Sequence, residues 1–241
     1  ASVATKLKPT EFTGYVATSA PATVQAIVVE GELVDELPEG AEGALVLDVT
    51  PFYAERGGQV GDTGVISGTG FSFEVLDTRP LGEAVAHMGR VTAGTATVGA
   101  SVTATVDADR RDAIRRHHPA THLLHAALRQ IIGEHVKQAG SLVAPDRLRF
   151  DFSHHEAVAH DELVRIEERV NRWIMEDLPV NIEFMNLDEA MDAGALALFG
   201  EKYGERVRVV SIGEDGWSRE LCGGTHVDHV GKIGQVSILS E

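Results

Sequence analysis

The chain of 241 residues contains one cysteine, Cys222, so no disulfide can form within it. A single thiol suits a reducing compartment, and the cytosol is the expected location. No apolar run approaches the roughly 18 residues that a membrane-spanning helix needs, so no membrane partner is expected. The first residues, Ala1 to Lys6, lack the apolar stretch of a secretory signal. They also lack an initiator methionine, and the expectation is a piece of a longer chain. Basic residues are scarce: 21 Lys and Arg against 37 Asp and Glu leave a net charge of −16. That balance argues against non-specific binding to nucleic acid, which rests on neutralising phosphates. Several enzymatic signatures are missing, namely the GxxxxGK[ST] nucleotide loop, the GxSxG elbow and the HExxH zinc helix. Internal repeats and low-complexity tracts are absent as well.

What remains is an ordinary globular composition, 43% apolar and 24% charged. The length allows one large domain or two small ones. Up to residue 106 the chain reads as strands. Val24–Val29 and Ala44–Val49 are short β-branched runs, and Phe71–Leu76 and Ser101–Val106 alternate between apolar and polar residues. Glycine-rich turns separate them, which points to a small barrel or sandwich. Gly57-Gly58-Gln59-Val60-Gly61 matches no phosphate-binding pattern and reads as tight turns.

From residue 107 to 241 the pattern changes to α+β. Asp107–Gly133 reads as helix, with Leu124, Leu128 and Ile131 or Ile132 as the core-facing stripe. Pro119 fits a first helical position, which makes His118 a boundary residue. Val136–Ser141 and Leu148–Phe152 form two strands around a Pro145-Asp146 turn, and His160–Asp177 is a second helix. Val180–Met185, Val207–Ile212 and Gln235–Leu239 read as strands, and Leu187–Leu198 as a shorter helix. Arg110, Arg111, Arg115 and Arg116 make either a local basic face or a solvated helix face paired with Asp107, Asp109 and Asp112.

The chemistry sits in two remote segments. His118-Pro119-Ala120-Thr121-His122 is an HxxxH, and Cys222-Gly223-Gly224-Thr225-His226 is a CxxxH. Residues four apart on a helix share a face, so His118 and His122 can reach one ion. Cys222 and His226 have the same spacing on a glycine turn that can present a thiolate. Three imidazoles and a thiolate are a ligand set for Zn²⁺. Zinc lowers the pKa of water that it binds to roughly 7, so hydrolysis there needs no side-chain base. His125 is read as a packed or outer histidine, His117 as pointing away, and His229 as a weaker substitute for His226. His154, His155 and His160 flank polar turns and are expected in solvent. Thr121, Gln138 and Ser141 can orient a small polar group or a water.

Four segments in this order resemble the editing region of the alanyl-tRNA synthetases: Thr50–Gly64, His118–His125, Ala195–Gly204 and Glu220–Val227. The resemblance runs from Phe12-Thr13-Gly14-Tyr15 to the last residues, and freestanding editing proteins share several of the motifs. It implies a translation-factor-like β-barrel in residues 1–106 and a zinc-containing editing domain in 107–241, of the type shared with threonyl-tRNA synthetase. It implies His118, His122, Cys222 and His226 as metal ligands, and Gln138 and Thr121 at the hydrolytic pocket. Pro119 departs from the family pattern, where Ser or Thr is common. The implied activity is hydrolysis of Ser-tRNA(Ala) and Gly-tRNA(Ala). The implied partner is the tRNA(Ala) acceptor end, with an aminoacylation domain upstream and a C-terminal region downstream in the parent chain. Three other readings compete: a freestanding deacylase acting in trans, a cysteine hydrolase with Cys222 as nucleophile and His226 as base, and a structural zinc module that only binds the acceptor end.

Overall fold

The structure is a computed structural model that describes residues 2–198 and 202–241. Phe199, Gly200 and Glu201, inside the third of the four resembling segments, lie outside the described residues. The chain divides into two compact units, Ala1–Arg56 with Val60–Arg111 and Gly57–Gln59 with Asp112–Glu241.

The first unit is a barrel. Its wall runs through β2 (Ser19–Val29), β5 (Glu42–Leu47), β7 (Gly64–Gly68), β8 (Phe71–Leu81), β9 (Ala84–Thr97) and β10 (Ser101–Val106), with β1 (Glu11–Phe12), β3 (Glu32–Val34), β4 (Glu36–Pro38) and β6 (Val49–Thr50) as short additions. The order is β10-β7-β8-β9-β5-β2, and β10 also pairs with β2 through Thr103 opposite Pro21, which closes six antiparallel strands into a ring. Bulges in the β8–β9 ladder near Phe73 and Val75 supply the bend that closure demands. Alternation sets the interior: Val102, Ala104 and Val106 of β10 point inward and join Val24, Ile27, Leu45, Leu47 and Phe73 in the core.

Arg111 corrects the expectation of an arginine face. It is 2% exposed. Its Nε donates to Asp62 Oδ2 at 2.9 Å, and its terminal nitrogens donate to the carbonyls of Gly14 and Pro51. Asp62 Oδ2 also accepts the Tyr53 amide at 2.7 Å. This arginine therefore ties three loops of the barrel unit together and offers no charge to solvent. Arg115 does pair with Asp112, at 3.3 Å.

In the second unit, α1 (Ala108–Ile131, its first turn counted with the barrel), α2 (His160–Met175) and α3 (Leu187–Asp192) accompany the hairpin of β11 (Gln138–Val143) and β12 (Leu148–Phe152). A three-stranded antiparallel sheet has the order β13 (Val180–Asn186), β14 (Arg206–Ile212), β15 (Ser218–Leu221). Leu123, Ala127 and Leu128 of α1 meet Ile166, Val170 and Trp173 of α2 and Val210 and Ile212 of β14 in one core. Trp173 and Trp217 stack with ring centroids 4.1 Å apart.

Three local expectations fail for identifiable reasons. Pro119 does not open a helix; it lies within α1, and His118 is helical rather than a boundary residue. The helix at Leu187 ends at Asp192 because Gly194 turns left-handed at φ 81°, after which Leu196 exchanges backbone hydrogen bonds with Arg219 and Leu221. The segment Gln235–Leu239 forms no strand. Side chains of α2 take over its backbone instead: Asn171 bonds both the amide and the carbonyl of Val236, and Glu167 accepts from the Ile238 amide at 2.7 Å.

Candidate metal centre

His118 and His122 project from one face of α1, with parallel rings 5.5 Å apart. Facing them is the loop after β15. Cys222 Sγ lies 3.3 Å from His118 Nε2 and 3.5 Å from His226 Nε2, and His226 Nε2 lies 3.0 Å from His122 Nε2. The four donor atoms are all within 4.8 Å of one another. With zinc–nitrogen bonds of about 2.0–2.1 Å and zinc–sulfur bonds of about 2.3 Å, the edges of a tetrahedral site are about 3.3 to 3.6 Å. The spacing and chemistry of these donors therefore fit a zinc ion, and the four residues named from sequence are the ones brought together.

Two residues that the sequence reading passed over fix the imidazoles from behind. Nδ1 of His118 meets Gln59 Oε1 at 2.8 Å, and Nδ1 of His122 bonds Glu220 Oε2. The other oxygen of Glu220 bonds Nδ1 of His125, which lies outside the four-donor cluster. A metal-binding histidine generally needs such a partner on its second nitrogen. For Glu220 a signal was present: it stands two before Cys222 in an extended segment, where alternate residues share a side. Nothing local marked Gln59.

The ligand loop is held at several points. Pro119 has no N–H, so the helical partner of the Arg115 carbonyl is missing. The Val227 amide takes its place at 3.2 Å, and Arg115 Nε donates to the His226 carbonyl at 3.3 Å. Arg208 donates to the carbonyls of Cys222 and Gly224 at 2.8 and 2.9 Å. Gly224 must lack a side chain, because a Cβ there would lie 2.0 Å from Cε1 of His118.

Electrostatics favour a thiolate at Cys222 and a neutral ring at His226, while Glu220 favours a charged ring at His122. Burial would raise the Cys222 thiol, but the adjacent His118 and His226 imidazoles hold it well below the usual thiol range. Burial lowers His226 to about 3, keeping that ring neutral. Burial opposes a charge on His122 too, yet Glu220 outweighs it and pushes His122 up to about 10.

The remaining sequence candidates are placed as follows. Thr121 is buried, and its hydroxyl donates to the His117 carbonyl at 3.3 Å. Gln138 lines an open hollow of about 290 Å³ with Gly57, Gly58, Ala139, Gly140, Ser141 and Leu198. Gly58, at φ 83°, packs so closely on Ser141 that a Cβ would meet its Oγ at 2.1 Å. Its neighbour Gln59 is the residue that holds His118. His229 stays outside the cluster, with Nδ1 3.1 Å from the Asp177 carbonyl.

Residues 1–110 match the family model described as class II (A) tRNA synthetases. Residues 207–241 match the one described as the second additional domain of threonyl and alanyl tRNA synthetases. The chain is 54% identical over 95% of its length to the alanine–tRNA ligase of Halorhodospira halophila, and covers 26% of that protein. It is 50% identical over 98% of its length to the alanine–tRNA ligase of Bradyrhizobium diazoefficiens, and 50% identical over 100% to that of Rhodopseudomonas palustris, covering 28% of each. It thus spans about a quarter of the length of the curated relatives it matches.

Proposed function

Because the chain belongs to the alanyl-tRNA synthetase family, we propose that it is the editing region of such an enzyme, hydrolysing the ester of Ser-tRNA(Ala) and Gly-tRNA(Ala). The observation that carries this reading is the convergence of His118, His122, Cys222 and His226 from segments about a hundred residues apart, next in the chain to the Gln138 hollow through Gly58-Gln59. Such a site has a physical purpose. An alanine pocket cannot exclude the smaller glycine and rejects serine only modestly, since one extra hydroxyl changes binding little. A second, hydrolytic site removes the errors.

In this reading His118, His122, Cys222 and His226 hold Zn²⁺, which supplies Lewis acidity beside the scissile ester when bound. Gln59 and Glu220 keep the His118 and His122 imidazoles turned toward it. Gln138 orients the terminal ribose or a water through its amide, and Thr121 reads the serine hydroxyl. The partner is the acceptor end of tRNA(Ala), delivered in the cytosol by domains of the parent chain that flank this region, and the barrel fills the translation-factor-like place in that arrangement. With a net charge of −16 the chain by itself binds tRNA weakly, and more weakly as salt rises.

The test is deacylation of Ser-, Gly- and Ala-tRNA(Ala), with metal analysis of the same sample. Ser- and Gly-tRNA(Ala) lose their ester faster than Ala-tRNA(Ala) if the proposal holds; equal and uncatalysed rates on all three refute it. One observation favours a second reading. Four donors can saturate a tetrahedral ion, as in structural sites. Chelation separates the two: lost fold with lost metal supports a structural ion, and retained fold with lost deacylation supports a functional one.

A further inference from the structure

We propose that His135, His154 and His155 form a second metal site, a surface trihistidine site for a divalent transition-metal ion of the Zn²⁺ class. The first site does not involve these residues, and the reading of the chain as an editing region does not require them.

The hairpin brings them together. The β11–β12 ladder pairs Gln138 with Phe152, and it continues one step past its regular end. The Ser153 amide donates to the Lys137 carbonyl at 2.9 Å, and the Lys137 amide donates to Ser153 Oγ at 3.3 Å. Beyond this pair the chain leaves the ladder, with a turn at His135 and a bend at His155. The His135 side is fixed from α1, where Arg129 donates to the carbonyls of Glu134 and Val136 at 2.5 and 2.9 Å, and the Val136 side chain is fully buried. Gly133 makes room for the ring, since a Cβ there would lie 2.7 Å from Nδ1 of His135.

The result is a cluster of imidazoles at the surface. His135 and His155 are exposed and His154 is half-buried. One nitrogen from each lies within 4.8 Å of the others, and His135 Nε2 is 2.8 Å from His154 Nδ1. Ring centroids are separated by 4.6 to 5.5 Å. Two nitrogens sharing a zinc ion at about 2.0–2.1 Å each are about 3.3 Å apart at the tetrahedral angle, so small rotations of the rings complete the site. Imidazole donors select zinc, copper and nickel over magnesium and calcium, which prefer oxygen. Three ligands leave the remaining positions to water, and exposure makes the bound ion exchangeable, in contrast to the buried Cys222 site.

The experiment is a Zn²⁺ titration of the chain loaded beforehand with one equivalent of Zn²⁺, followed calorimetrically and by imidazole NMR. One further equivalent binds, and the ring signals of His135, His154 and His155 move together and saturate with it. The double variant His135→Ala/His154→Ala loses at least tenfold in affinity for that equivalent while keeping the tightly bound ion and an unchanged circular dichroism spectrum. His155→Ala, which leaves the hairpin contacts intact, weakens it likewise. Absence of a further equivalent, or one bound with unchanged affinity by the variants, overturns the proposal.

Discussion

Gln59 and Thr225, 166 residues apart in the chain, hold each other at two points: Gln59 Nε2 donates to Thr225 Oγ1 at 2.9 Å, and the Thr225 amide donates to Gln59 Oε1 at 2.9 Å. The same Oε1 faces Nδ1 of His118 at 2.8 Å. One side-chain amide therefore positions His118 of α1 and the loop that carries Cys222 and His226. Removing it in Gln59→Ala lowers metal affinity by about 10- to 100-fold, the usual effect of losing such a partner. Gln59→Glu, which keeps the acceptor, recovers part of this. Competition with a chelator measures both, and unchanged affinity in Gln59→Ala removes the assigned role.

If the four-donor cluster holds a metal, Gly224→Ala empties it, although it alters none of the four donors. The new methyl would lie 2.0 Å from Cε1 and 2.3 Å from Nδ1 of His118. The ring must swing away or the loop must lift. Metal content per chain falls well below that of the parent, and a variant with full occupancy would contradict the geometry.

Pro119→Ala introduces an N–H that competes for the Arg115 carbonyl. A proline inside a helix typically costs about 3 kcal/mol. Here the Val227 amide recovers about 0.5–1.5 kcal/mol of that. The variant is therefore more stable, by less than 3 kcal/mol, but its ligand loop is looser. Hydrogen exchange at the Val227 amide accelerates by about tenfold, and an unchanged rate would show that the proline plays no part in holding the loop.

Thr121→Val tests the reading of the serine hydroxyl. Its native hydroxyl already donates to the His117 carbonyl, so the substitution costs the helix little. If Thr121 reads the substrate, preference for seryl over alanyl ester drops by about tenfold or more while the metal stays bound. A variant with the same preference as the parent removes that assignment.

His87 predicts acid sensitivity of the barrel unit. Burial lowers it from 6.5 to about 4, against a smaller opposing effect of its bond to the Leu45 carbonyl. Its other nitrogen accepts from the Thr50 hydroxyl at 2.6 Å, so the neutral ring is fully satisfied. A histidine with a lowered folded pKa contributes stability that is fully present above pH 6.5 and is lost as the pH falls toward 4. The loss is about 3 kcal/mol across that window, with no further contribution below it. Urea unfolding of the parent and of His87→Gln at stepped pH checks this, since the variant lacks the step.

Local rules reach far into this chain. Alternation alone placed β10 at Ser101–Val106, and the Pro145-Asp146 turn lies between β11 and β12. The i, i+4 spacing of His118 and His122, and of Cys222 and His226, made a four-donor metal site legible as a possibility, because ligand chemistry is written in residue type and spacing. Tertiary structure decided the rest, wherever a backbone or polar group found a partner far away in sequence. Pro119 sits inside α1 because a loop amide from residue 227 replaces its missing bond. Gln235–Leu239 forms no strand because α2 side chains satisfy its backbone. Arg111 is buried because Asp62 and two loop carbonyls surround it. Gln59 and Glu220 orient His118 and His122, and hydrogen-bond partners of this kind follow from the fold, since a buried polar group is satisfied by whatever the packing brings within reach.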